Sequence, residues 1–332
     1  MKSSNALLFA LVLAAGCGGT TTPQPTGGGG GTAGGGGTGG AGGGTGSSWL
    51  TGAKGTLLSS ANGLDFAAHA APTANDLYAL TCVGHLDGWA AGADGTIIGT
   101  HDGGATWTAE SSGVSSPLRA LAFADVDHGL AVGDAGVILR TVDGGGHWAA
   151  IASGTSADLR GVALSNVDGR AFVVGAGGVL LRSTDGGTTF GAPASLASAD
   201  LRAVRWSGAA GAGFAVGDGG LVLGTQDGAT WAPLATAPGA LTALSISDDA
   251  SRAVAVGAGG LVWRTVDAGA HWSASASGVG AALATIGFSD DDDDTGWAAG
   301  AAGTLLVTHD GGASFTSLAS PTTADLFAVE DL

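Results

Sequence analysis

From Trp49 onward the chain is built of short apolar runs separated by glycine and aspartate. LRALAF (118–123), LAVG (130–133) and GVILRT (136–141) show the pattern, and no stretch of this region carries a helical period. Runs this short, aliphatic or β-branched and bounded by turn residues, predict strands. LRALAF has matches in LYALTC, LRGVAL, LRAVRW, LTALSI, LATIGF and LFAVED, and LAVG in WLTG, WAAG, FVVG, FAVG, VAVG and WAAG. After each of the latter comes Gly-x-x-Gly, as in Gly133-Asp134-Ala135-Gly136. That spacing predicts a tight hairpin whose glycines take positive φ.

The runs recur as a unit. Its most legible corner reads THDGGATW (100–107), TVDGGGHW (141–148), STDGGTTF (183–190), TQDGATW (225–231), TVDAGAHW (265–272) and THDGGASF (308–315), with a worn copy, SANGLDF, at 60–66. The corners open at Ser60, Thr100, Thr141, Ser183, Thr225, Thr265 and Thr308, spaced 40, 41, 42, 42, 40 and 43 residues apart. A period near 41 fits one propeller blade of four strands, with the outermost strand starting at the aromatic residue of the corner. The first unit opens at Trp49 without an innermost strand, and a spare one, Leu326–Asp331, ends the chain. The expected fold is therefore all-β: a seven-bladed β-propeller of four-stranded antiparallel blades over 49–332, closed by the C-terminal strand. Closure removes two sheet edges that would otherwise template aggregation.

The chain has 28 acidic residues, of which only Glu110 and Glu330 are Glu. Asp can fold back onto nearby backbone N–H groups, which Glu does less well. Asp102, Asp143, Asp185, Asp227, Asp267 and Asp310 therefore read as turn locks, each followed by a small residue and by an aromatic that wedges between blades. One catalytic acid cannot occupy six equivalent positions. The column Cys82, Phe123, Leu164, Trp206, Ile246 and Phe288 predicts an inter-blade core, with Cys82 a buried small hydrophobe.

The corner Ser/Thr-x-Asp-Gly-Gly-x-x-Trp/Phe resembles the Asp-box, the bacterial neuraminidase repeat. With GWAAG before it and LRALAF after it, the unit resembles the photosystem II stability/assembly factor family of seven-bladed propellers. That resemblance implies a non-enzymatic protein that holds another protein during assembly of a membrane complex, and an arginine patch on its surface.

This chain differs from photosynthetic members at its start. Residues 1–16 read as a signal peptide: Lys2, then the apolar run Ala6–Ala15, which is too short to cross a bilayer. Leu13-Ala14-Ala15-Gly16-Cys17 resembles a lipobox, which makes Cys17 the lipidation site. Gly18 after it favours the outer membrane by resemblance to Gram-negative lipoproteins. Residues 17–48 form the tether; 17 of the 31 residues from 18 to 48 are Gly, a composition that stays disordered and spans roughly 30 Å. The expected location is the cell envelope, with a lipid anchor and an envelope membrane protein, rather than a photosystem, as partner.

Composition narrows the chemistry. A net charge of −17 excludes a nucleic-acid partner, and two cysteines exclude a disulfide scaffold. The seven His have no ligand spacing, so no metal and no cofactor are expected. Five adjacent carboxylates, Asp290–Asp294, could attract Ca²⁺ weakly but read first as a solvated loop. Sialidases share the Asp-box, yet their Arg cluster, Tyr nucleophile and Glu partner are poorly matched by a single Tyr78 with Glu110, placed in a connection, and Glu330, placed in the closing strand. A carbohydrate-binding or glycosidase-like propeller is the alternative function, and a structural lipoprotein without a ligand is a third. A monomer is expected.

Arginine carries the strongest signal. Arg119, Arg160 and Arg202 share the second position of the innermost strand in three consecutive blades, in a column completed by Tyr78, Thr242, Ala284 and Phe327. They should gather at one rim of the central opening, either paired with nearby Asp such as Asp158 and Asp200 or free to bind a partner. Arg205 departs from the small residues of its own column and is expected to extend the patch. A second column, Arg140, Arg182 and Arg264, ends the third strand and reads as a surface pairing set.

Overall fold

The computed structural model describes residues 47–192, 194–289 and 294–330. The signal segment, Cys17 and all but the last two residues of the tether lie outside them, as do four of the five acidic residues of the 290–294 run. Seven four-stranded antiparallel sheets are arranged as the blades of a propeller. In blade 3 the order from axis to rim is Leu118–Phe123, Gly129–Gly133, Ile138–Thr141 and Ala149–Ala150. Blade 1 is assembled from both ends of the described chain: Leu326–Glu330 lies against Ser48–Gly52, pairing Trp49 with Glu330 and Leu50 with Val329.

The hairpin between the second and third strands departs in one respect from expectation. Only the second glycine takes positive φ, as Gly136 does at 76°, together with the residue before it, Ala135 at 57°. The leading glycine is extended, with φ of −162° at Gly133. It is glycine for lack of space: a Cβ on Gly92 would overlap the carbonyl oxygen of Asp76, and one on Gly133 that of Pro117. The same carbonyls accept hydrogen bonds from Ala93 N (2.9 Å) and Asp134 N (3.0 Å), tying each hairpin to the start of its own innermost strand.

The corners lock as the residue types predict. Asp185 Oδ1 accepts from Thr189 N (2.9 Å), its Oδ2 accepts from the Thr189 hydroxyl (2.6 Å), and Ser183 Oγ accepts from Gly187 N (3.0 Å). In the worn corner of blade 1, Asn62 takes the place of Asp and its Oδ1 accepts from Leu64 N and Asp65 N, both at 2.9 Å. The outermost strand starts after the aromatic, which is drawn inward instead. Trp231 packs edge-on against Phe172 of the preceding blade (5.5 Å between centroids), as Trp272 does against Phe214 (5.7 Å).

Each apolar cluster spans two blades: Trp89 and Ile97 of blade 2 pack with Leu118, Leu121 and Leu139 of blade 3. Cys82 is buried in such a cluster, and Phe123, Leu164, Trp206, Ile246 and Phe288 flank the others. Glu110 is the last residue of an outer strand, Thr108–Glu110, rather than part of a connection. It accepts a hydrogen bond from Trp148 Nε1 of the next blade (3.2 Å), and burial pushes its carboxyl above the usual range. Arg140 has no ion pair among the described residues; its Nε donates to the Gly186 carbonyl of the next blade (3.0 Å).

Candidate functional site

The innermost strands line an axial channel of about 290 Å³. Its mouth at the hairpin end is ringed by the second residue of each strand. That position is set by a register shift in each strand, as between Leu118 and Ala120, which turns the intervening side chain toward the opening. The sequence places Tyr78, Arg119, Arg160 and Arg202 in this ring, and the structure brings all four to one side of it. The Arg119 guanidinium lies 4.8 Å from the Tyr78 ring centroid, and Phe327 of the closing strand packs on Tyr78 at 5.5 Å. Thr242 also lines the opening, with its hydroxyl donating to the Leu283 carbonyl of the next blade (2.7 Å). The mouth is therefore polarised: two aromatics, then three cations, then small side chains.

The three arginines are not equivalent. Arg119 forms a two-point fork with Asp134, Nε to Oδ1 at 2.8 Å and Nη2 to Oδ2 at 2.7 Å. Arg202 does the same with Asp218, at 2.9 and 2.8 Å. Both carboxylates are held below their usual range by these hydrogen bonds, and both arginines are raised. Asp134 and Asp218 occupy the second position of the Gly-x-x-Gly hairpin, where the blade of Arg160 has Ala176. Arg160 Nη2 stands 3.8 Å from Asp158 and 3.5 Å from Asp200, and its Nε is buried without an acceptor among the described residues. Those two carboxylates already accept backbone N–H groups of neighbouring hairpins, from Ala135 (3.0 Å) and Gly177 (2.9 Å).

The expected pairing with Asp158 and Asp200 thus holds, loosely, for Arg160 alone. The hairpin partners were missed, although a signal was present: Asp follows the first hairpin glycine in blades 3 and 5, the blades of Arg119 and Arg202. Phe327 was seen in the column but not assigned to the site. Arg205 lines the same cavity as the three mouth arginines, but deeper than the rim. It lies three residues further along its strand, about 10 Å at the rise of a β-strand, opposite Phe214 in the register and inside the channel. Glu330 lines the same channel. His147 and His271 bind the aspartates of their own corners (2.6 and 2.7 Å) rather than a shared site. Among the described residues no group of three His, Cys, Asp or Glu is placed to hold a metal.

Seven blades, Asp-box corners and an axial mouth define an Asp-box β-propeller. The chain belongs to the photosynthesis system II assembly factor YCF48 family, whose model matches residues 113–196 and 145–293. Two solved YCF48 propellers are similar at 19% identity and a TM-score of 0.60. One, bound to a D1 peptide, aligns over 79% of this chain and 87% of its own; the other, from Cyanidioschyzon merolae, over 79% and 96%. A GH74 xyloglucanase from Xanthomonas campestris is similar at 16% identity and a TM-score of 0.59, over 74% of this chain and 45% of its own. At these identities the likenesses establish the fold. No curated protein matches the chain.

Proposed function

We propose that the chain is a non-enzymatic assembly scaffold, tethered to the cell envelope through Cys17, that grips an acidic segment of a membrane-protein partner at its arginine mouth. The observation that carries this reading is Arg160, a half-buried cation flanked by two forked arginines, with its Nε left without an acceptor among the described residues. A buried guanidinium N–H without a partner costs free energy that an incoming carboxylate recovers, and Arg suits two-point carboxylate recognition. The forks at Arg119 and Arg202 hold the flanking side chains in place, and Tyr78 with Phe327 offers apolar contact beside them. A related propeller has been solved with a D1 peptide bound, which supports polypeptide as the ligand class. The lipobox and glycine tether support a partner in the envelope, at the outer membrane, and an effective concentration raised by tethering.

The test compares wild type with Arg119→Ala/Arg160→Ala/Arg202→Ala in capture from envelope extracts. The variant is expected to lose a membrane protein that wild type retains, and identical profiles would remove the mouth from the function. In the same cells, Cys17→Ala should move the protein from the membrane to the soluble fraction; unchanged fractionation would refute the lipid anchor.

A further inference from the structure

We propose that the channel behind the mouth is a second anion site, in which Arg205 receives a carboxylate- or phosphate-sized oxyanion. The proposal rests on reading the mouth as an anion entrance, and it adds a deeper position with its own donor.

Mouth and channel form one cavity lined by four arginines against a single acidic side chain, Glu330, among the described residues. Two of the four are committed to forks with Asp134 and Asp218. Arg205 is different. The other blades place Thr81, Ala122, Ala163, Ser245, Gly287 and Glu330 at its position, so one long cation projects where the rest of the ring is mostly small. Its hydrogen bond to the described protein is Nη1 to the Val204 carbonyl (3.1 Å). A guanidinium has five N–H donors, so most of its capacity is left for the channel. Removal from water pulls its pKa down, and the field of Glu330 pushes it back up. An oxyanion would restore the lost hydration with charge-assisted hydrogen bonds. Arg202 and Arg205 are about 10 Å apart along the strand. A polypeptide carrying two acidic side chains could therefore engage mouth and channel together, whereas a free oxyanion would occupy the channel alone.

Two probes separate these sources: inorganic phosphate, followed by thermal unfolding against chloride at matched ionic strength, and a fluorescent, C-terminally amidated hexaglutamate peptide, followed by anisotropy. Arg205→Met should weaken at least one probe by about tenfold, the scale of a lost charge-assisted hydrogen bond, while Arg205→Lys retains binding. Glu330→Gln, which removes the competing carboxylate, should tighten the same probe; a merely structural Arg205–Glu330 pair would not produce that gain. Loss for the peptide assigns the site to an acidic side chain of the partner, and loss for phosphate alone assigns it to a free oxyanion. The proposal is overturned if Arg205→Met leaves both affinities unchanged, or if wild type binds neither probe. The mouth reading fails separately, if Arg160→Met leaves peptide affinity unchanged.

Discussion

At the scale of single residues, aspartate does two jobs that its short side chain makes compatible. In the corners it satisfies backbone N–H groups; at the hairpins it orients arginine. The Thr189 hydroxyl, the Ser183 hydroxyl and the Thr189 N–H hold Asp185 at about 2, and the backbone N–H of His271, then its ring, hold Asp267 at about 2. A carboxyl held below its unfolded value of about 3.9 stabilises the fold above that pH, and the contribution disappears as pH falls toward the folded value. Calorimetry should therefore show a melting temperature insensitive to these groups above about pH 5 and falling between about pH 4 and 2. Asp185→Ala removes one corner lock, comparable to a helix N-cap worth about 1 kcal/mol, and should lower the midpoint by about 2–4 °C. These locks were legible because they involve residues two to four positions apart. The forks at the mouth join an innermost strand to the hairpin of its own blade, Arg119 with Asp134 and Arg202 with Asp218, fifteen and sixteen residues apart, and strand register brings each pair together.

At the scale of elements, glycine separates into two classes that look alike in sequence. Both hairpin glycines yield space to a neighbouring carbonyl, but the first does so in extended backbone and only the second also adopts a left-handed one. Gly92→Ala should impair folding, because its Cβ would collide with backbone at Asp76 that cannot move without shifting the innermost strand. Gly280→Ala meets nothing within 4 Å and should leave the melting temperature within about 1 °C, which a thermal melt of both variants would check. The spacing of the glycines was readable from the chain. The reason for the first one was not, since the obstructing carbonyl belongs to the residue that leads into the innermost strand, sixteen residues earlier at Asp76 and Pro117.

Over the whole molecule, closure is the main structural commitment. The terminal strand pairs with Ser48–Gly52, and Leu326 and Val329 enter a cluster with Leu50, Leu58 and Trp297. Deleting 326–332 strips blade 1 of its axial strand and exposes that cluster. Chemical unfolding should then lose its cooperative transition, and a normal transition in the truncated protein would contradict closure. The two ends of the ring also differ in use. Ser48 pairs with Ser60, at the opening of the first corner, so the N-terminal segment joins the propeller at the corner end. The arginine mouth lies at the hairpin end, facing away from that junction.

The sequence by itself determined seven units, their four-strand content, their corners and the strand that closes them, because each depends on spacing and on contacts within one repeat. It also placed three arginines in one column. Tertiary structure decided how those arginines differ: two are forked by hairpin carboxylates and one is not, while Arg205 is withdrawn into the channel. Such differences arise when strands far apart in the chain converge on one axis, where register and depth, rather than residue type, fix which charges meet.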